Sequence, residues 1–202
     1  MRFRAFIFDV GNVLLRWSPP EIVRAALPAA ADAERYRRGI FAHPLWAALD
    51  AGEIDEPDAI RQFATNLGCD EAEVARIIRA AQDSLVPLPT GMSLLAEVDQ
   101  PARDLVCLTN MSRETFAHIR PRYDFWTRFK GIVVSGQVRM AKPNPAIYRH
   151  TLDAHGLEAA STVFIDDHPA NVEAARALGI TAVEYDGSAQ CAAQVRALAV
   201  QA

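Results

Sequence analysis

The chain has 202 residues, half of them hydrophobic and 23% charged, with a net charge of −4. That is room for one domain with a substantial core, or for a core plus a small insertion. The acidic balance and the lack of a long basic run argue against nucleic acid and anionic membrane as partners, because both call for clustered Lys and Arg.

The first strand-like run covers residues 5–9 and ends in Asp9. Asp9 breaks the apolar N-terminus and no small-residue cleavage site follows, so the run does not read as a signal segment. No stretch approaches the roughly 18 uninterrupted apolar residues of a membrane span. A cytoplasmic location is expected. From about residue 17 to residue 86 the pattern is helical, with candidate helices at 21–27, 31–41, 57–67 and 71–84. Pro19-Pro20 opens this segment and Pro87-Leu88-Pro89 closes it, and both read as hinges. The segment is expected to fold as a helical cap over one edge of the sheet, where it would exclude water and select substrate.

Beyond residue 86, helices and strands alternate. Helices are expected at 90–98, 112–120, 145–154, 169–178 and 189–200, and strands at 105–109, 131–135, 162–166 and 181–184. Gly179 is a natural helix stop. The strands are short, mostly apolar and rich in Val, Ile or Phe, as strands buried on both faces are. The alternation predicts an α/β fold, a Rossmann-like doubly wound parallel sheet, with residues 1–16 and 87–202 as core and 17–86 as cap. Cys69, Cys107 and Cys191 are odd in number and far apart, which suits neither a disulfide framework nor a zinc site. Cys107 is expected in the core.

Several strand ends carry polar residues of particular kinds. They are Asp9, Thr109-Asn110, Asp166-Asp167 and, past the third strand, Lys142. Taken singly, each has a plain reading: a helix cap for the acids and a solvated surface residue for the lysine. In a parallel sheet, however, all strand C-termini share one edge, so these residues converge. Carboxylates gathered there repel one another unless a cation joins them, and oxygen ligands without His or Cys suit Mg²⁺. Lys142 would hold a phosphate and keep Asp9 ionised. A carboxylate nucleophile with Mg²⁺, Lys and hydroxyl donors is what phosphoryl transfer through an aspartyl-phosphate requires.

Four motifs resemble those of the haloacid dehalogenase-like hydrolase superfamily. They are Phe8-Asp9-Val10-Gly11-Asn12-Val13, Leu108-Thr109-Asn110, Lys142-Pro143-Asn144-Pro145 and Phe164-Ile165-Asp166-Asp167-His168-Pro169. Within the superfamily they look most like phosphatases of the bacterial α-glucose-1-phosphatase type and the N-terminal phosphatase domain of epoxide hydrolases. The resemblance implies a Rossmann-like core with an inserted helical cap. It also implies Asp9 as nucleophile and Mg²⁺ ligand, and Thr109, Asn110 and Lys142 as phosphoryl-binding groups. Asp167 is the implied metal ligand of the acidic pair, with Asp166 in or beside the coordination sphere.

Gly11 is the departure. Most phosphatases of the superfamily have a second Asp there as general acid and base, and its backbone carbonyl also ligates the metal. Glycine keeps the carbonyl and deletes the carboxylate, a group typically worth about 10²–10⁴-fold in rate. This predicts a leaving group that needs little protonation, such as an anomeric sugar 1-phosphate or an acyl phosphate. His43, in the cap, is a candidate substitute acid that would reach the site when the lid closes, against the plainer reading of a cap-surface histidine. Trp46 fits the core better than a sugar platform. His168 could contact metal or substrate, and Asn12 and Asn171 are expected to support the loops that hold Asp9 and Asp167.

The expected activity is therefore a Mg²⁺-dependent phosphatase of a small phosphorylated metabolite, with a sugar phosphate as one candidate, acting as a monomer or homodimer. A dehalogenase-type C–halogen hydrolase is the enzymatic alternative, but such enzymes lack the Asp166-Asp167 pair. A catalytically silent binding protein is the third reading.

Overall fold

The computed structural model describes residues 3–28 and 32–200. The chain begins with β1 (Ala5–Phe8), followed by α1 (Pro19–Ala26), α2 (Ala33–Phe41), α3 (Pro44–Asp50), α4 (Glu56–Leu67) and α5 (Glu71–Ser84). It then alternates through α6 (Pro89–Val98), β2 (Asp104–Thr109), α7 (Arg113–Ile119), β3 (Gly131–Val134), α8 (Ser135–Val138), α9 (Pro145–His155), β4 (Thr162–Asp166), α10 (Pro169–Arg176), β5 (Thr181–Glu184) and α11 (Ala189–Val200). Residue 31, where the second cap helix was expected to begin, lies outside the described residues.

The five strands form one parallel sheet in the order β3-β2-β1-β4-β5, the doubly wound α/β arrangement that the alternation predicts. β1 is central: Phe8 pairs with Cys107 on one side and Ile165 on the other. The chain winds outward from β1 to β3 and then returns to the other side of β1 with β4. The switch point therefore lies between the ends of β1 and β4, where open α/β sheets bind ligands.

The strand pleat sorts the core into two layers. Phe6 and Phe8 join Leu105, Cys107, Val163 and Ile165 in one buried cluster, which α6 and α11 cover with Leu94, Leu95 and Val195. Ala5 and Ile7 face the other way and pack with Val106, Leu108 and Phe164 against Ile147 and Tyr148 of α9 and Val172 of α10. Each fully buried side chain of this size contributes about 1.5–3 kcal/mol relative to exposure, so reversing one strand's register would be heavily penalised. The five helices α1–α5 enclose a separate apolar cluster that includes Ile22, Ile40, Phe63, Val74 and Ile77.

The prolines differ from expectation. Pro19 and Pro20 occupy the first turn of α1, and Pro89 opens α6. A helix start has no use for the missing N–H, so proline fits there without breaking anything. The connecting chains are not free hinges. Arg16 N–H donates to the Val86 carbonyl at 2.9 Å and Leu88 N–H to the Leu14 carbonyl at 2.8 Å, with Leu15 bridging Pro87 antiparallel. A further helix, α3, was not expected. It has only seven residues, too few for a clear periodicity, and it starts at Pro44 behind the His43 cap.

Candidate active site

Asp9 follows β1 directly, and its N–H donates to the Ile165 carbonyl at 2.9 Å, so the backbone is fixed before the side chain leaves the sheet. The Lys142 ammonium lies 2.8 Å from Asp9 Oδ1 and 2.6 Å from Asp166 Oδ2, and also donates to the Leu108 carbonyl at 3.0 Å. All three of its protons are thus placed. The lysine is held in turn by Asn110. The Asn110 amide donates to the Lys142 carbonyl, and its oxygen accepts from Lys142 N–H, both at 2.8 Å. The Asn110 side chain thus positions Lys142 while Asn110 also lines the cavity.

The two acids after β4 differ. Asp166 is fully buried. Besides Lys142, it accepts from the His168 N–H at 2.8 Å and from Asn171 Nδ2 at 3.0 and 3.2 Å. Asp167 is half-buried, faces the cavity, and accepts from Asn12 Nδ2 at 3.0 Å. Asn12 Oδ1 also accepts the Trp17 N–H at 3.1 Å, and its left-handed backbone (φ 51°) makes the turn that brings these groups together.

One oxygen from each of Asp9, Asp166 and Asp167 lies within 4.8 Å of the others. Burial pushes the Asp9 carboxyl up to about 7; Lys142 pulls against this, while Asp166 and Asp167 add to it. Asp167 is also raised, chiefly by burial, with the Asn12 hydrogen bond opposing. Burial pulls Lys142 down, but Asp9 and Asp166 together carry it above its ordinary value. Three carboxylates thus share one ammonium, an imbalance that a divalent cation with oxygen ligands would relieve. Asp9, Gly11 and Asp167 line the cavity, whereas the hydrogen bonds of Asp166 turn it toward Lys142 and Asn171.

The cavity over this edge measures about 240 Å³. Its floor comprises Asp9, Gly11, Thr109, Asn110, Lys142 and Asp167. From the segment between β1 and α6 come Trp17, Trp46, Asp50, Ala81 and Leu85. The tryptophan rings are 5.7 Å apart and tilted by 35°. Asp50 lies here although nothing in the sequence singled it out. Burial pushes its carboxyl up to about 8, while the Ser112 backbone and the Trp46 side chain pull against it. His168 lines the cavity as an exposed residue. His43 does not reach it. Its Nδ1 caps α3 by accepting the Leu45 N–H at 3.1 Å, and its ring meets Phe63 edge-on. Cys107 is buried in the core and burial pushes its thiol up.

No helix among the described residues is long and apolar enough to cross a membrane. Among curated proteins, the chain is 29% identical over 196 residues to the sesquiterpene phosphatase astK of Aspergillus oryzae, covering 97% of this chain and 96% of that one. Among solved structures, it resembles a predicted HAD-like family hydrolase from Porphyromonas gingivalis (TM-score 0.76, 22% identity, 98% of both chains). It also resembles the HAD family enzyme bt-2542 of Bacteroides thetaiotaomicron, solved with magnesium and inorganic phosphate (TM-score 0.70, 19% identity, 89% of this chain and 92% of that one). At these identities the structural likenesses establish the fold. The family model for haloacid dehalogenase-like hydrolases matches residues 3–179, and with that span the chain belongs to the haloacid dehalogenase-like hydrolases.

Proposed function

We propose that the protein is a Mg²⁺-dependent phosphatase that forms an aspartyl-phosphate on Asp9. The observation that carries this reading is the cluster of Asp9, Asp166 and Asp167 around Lys142 at the switch point of the sheet. The phosphatase relative and the magnesium–phosphate complex of a structural neighbour support it. Residues 17–86 act as the cap and residues 1–16 with 87–202 as the catalytic core.

In this mechanism Lys142 aligns Asp9 and favours its ionised form. An Asp9 oxygen attacks phosphorus, the bond to the leaving oxygen breaks, and water later releases phosphate. The Thr109 hydroxyl, at the end of β2, donates to the phosphoryl oxygens. Asp9, Asp167 and the Gly11 carbonyl would hold Mg²⁺, which when bound neutralises phosphoryl charge. Asp166 and Asn110 position Lys142.

The substrate is a small phosphate monoester. A sugar 1-phosphate agrees with the missing carboxylate at Gly11. The wall supplied by Trp17, Trp46, Ala81 and Leu85, with Asp50 as its one charged residue, favours a second reading, an ester with a hydrocarbon group, because most of its surface is apolar.

The test measures phosphate and chloride release with Mg²⁺ or EDTA, for wild type and Asp9→Asn. Mg²⁺-dependent phosphate release that Asp9→Asn abolishes is expected. Phosphate release surviving both treatments removes the mechanism, and chloride release from a 2-haloacid would favour the dehalogenase reading. A panel of glucose 1-phosphate, glucose 6-phosphate and farnesyl phosphate ranks the substrates. A preference for the 6-phosphate would show that glycine at position 11 does not restrict the enzyme to easily expelled groups and that another residue of the cavity supplies the proton.

A further inference from the structure

With glycine at position 11, the turn after Asp9 brings no carboxyl group to protonate the leaving oxygen. Lys142 has its three protons on Asp9, Asp166 and Leu108, and Asp167 is held by Asn12. The cavity nevertheless contains one more carboxyl group, delivered from the opposite wall. We infer that Asp50 is the acid and base of this enzyme, supplied by α3 in place of the residue missing at position 11. The inference rests on the phosphatase reading above.

Asp50 is held in its place by contacts at the end of α3. Its carbonyl accepts the Ser135 hydroxyl, and the same hydroxyl oxygen accepts the Met111 N–H at 2.8 Å. The end of α3 is thereby tied to the loop after β2, two residues beyond Thr109. Gly52, with φ +70°, then turns the chain against the core so closely that a Cβ there would stand 2.4 Å from the Gly136 carbonyl. Only glycine permits that approach. The Trp46 side chain and the Ser112 backbone lie close enough to act on the carboxyl group.

α2, α4 and α8, which pack on α3, bring no charged side chain to act on this carboxyl. The other titratable groups of the cavity are Asp9, Lys142, Asp167 and His168. With no cation pairing and burial dominant, the carboxyl holds its proton near neutral pH.

In the first step, an Asp9 oxygen bonds to phosphorus and the P–O bond to the leaving group breaks. The departing electron pair takes the Asp50 proton, releasing the alcohol. In the second, a water oxygen bonds to phosphorus and gives one proton to the Asp50 carboxylate. The P–O bond to Asp9 breaks and both aspartates return to their starting forms.

The test uses two esters, p-nitrophenyl phosphate, whose leaving group needs no proton, and n-hexyl phosphate, whose leaving group does. kcat/KM reports the step that expels the leaving group. Asp50→Asn should lower it about 10²–10⁴-fold for hexyl phosphate and less than about 10-fold for p-nitrophenyl phosphate. It should also abolish the alkaline limb of the wild-type hexyl phosphate profile. Equal losses on the two esters would mark a structural role and overturn the inference, as would unchanged rates or a selective loss in His168→Asn instead. Wild type inert toward both esters with Mg²⁺ would overturn the phosphatase reading itself.

Discussion

Asn12 and Asp167 are 155 positions apart, yet Asn12 Nδ2 donates to Asp167 Oδ2 at 3.0 Å, joining the turn after β1 to the loop after β4. The bond orients the one carboxylate of the acidic pair that faces the cavity. Asn12→Gly keeps the left-handed backbone and removes this bond together with the one from the Trp17 N–H. It should lower stability by about 0.5–1.5 kcal/mol and weaken the apparent Mg²⁺ affinity about 10–100-fold, read by titrating activity with Mg²⁺. An unchanged titration would detach Asn12 from the metal site.

Lys142 neutralises two buried acids, Asp9 and Asp166. Lys142→Met leaves both without a cation, which costs about 3–5 kcal/mol. The acids regain stability by taking up protons, so the deficit should be smaller at pH 5 than at pH 8. Denaturant melts at both values measure this, and a deficit that grows in acid would refute it.

Asp50 gives a pH signature independent of turnover. Its carboxyl is raised from 3.8 to about 8 in the fold. Across that window the native state keeps a proton that the unfolded chain has released, so stability falls as pH rises, by on the order of 1 kcal/mol per pH unit. Asp50→Asn resembles the neutral form and removes this contribution. Between pH 5.5 and 8 the wild-type melting temperature should fall more than that of the variant; parallel curves would show an ordinary, ionised Asp50.

A Cβ at Gly11 would meet nothing within 4 Å. Gly11→Asp can therefore be accommodated, and it returns a carboxylate to the turn after Asp9. Added to Asp50→Asn, it should recover at least about 10-fold in kcat/KM on hexyl phosphate. No recovery would mean that the two positions do not share one chemical role.

Asp9, Thr109, Asn110, Lys142 and the Asp166-Asp167 pair could be placed together from sequence because short apolar strands declare themselves and a parallel sheet puts their C-termini on one edge. What those side chains do to one another was less legible. The engagement of Asn110 with Lys142, and the turning of Asp166 away from the cavity, depend on hydrogen bonds across 32 and 24 residues. Asp50 gave no local sign. It ends a seven-residue helix, and its placement depends on Gly52 meeting Gly136 and on Ser135 bonding its carbonyl. The Pro19-Pro20 misreading had a remedy in the sequence, because Glu21 and an apolar periodicity follow at once and mark a helix start.

The paired backbone of Arg16 with Val86 and of Leu14 with Leu88 makes the way out of the sheet and the way back a single doorway. A detour anchored at two adjacent points can lengthen, shorten or change composition with little effect on the strands, since closure entropy grows only slowly with length. The tool for breaking the phosphate ester and the shape of the room it works in can thus diverge separately. Asp50 complicates that freedom: it ties one proton of the chemistry to the replaceable part, so a new wall would bring a new acid or none.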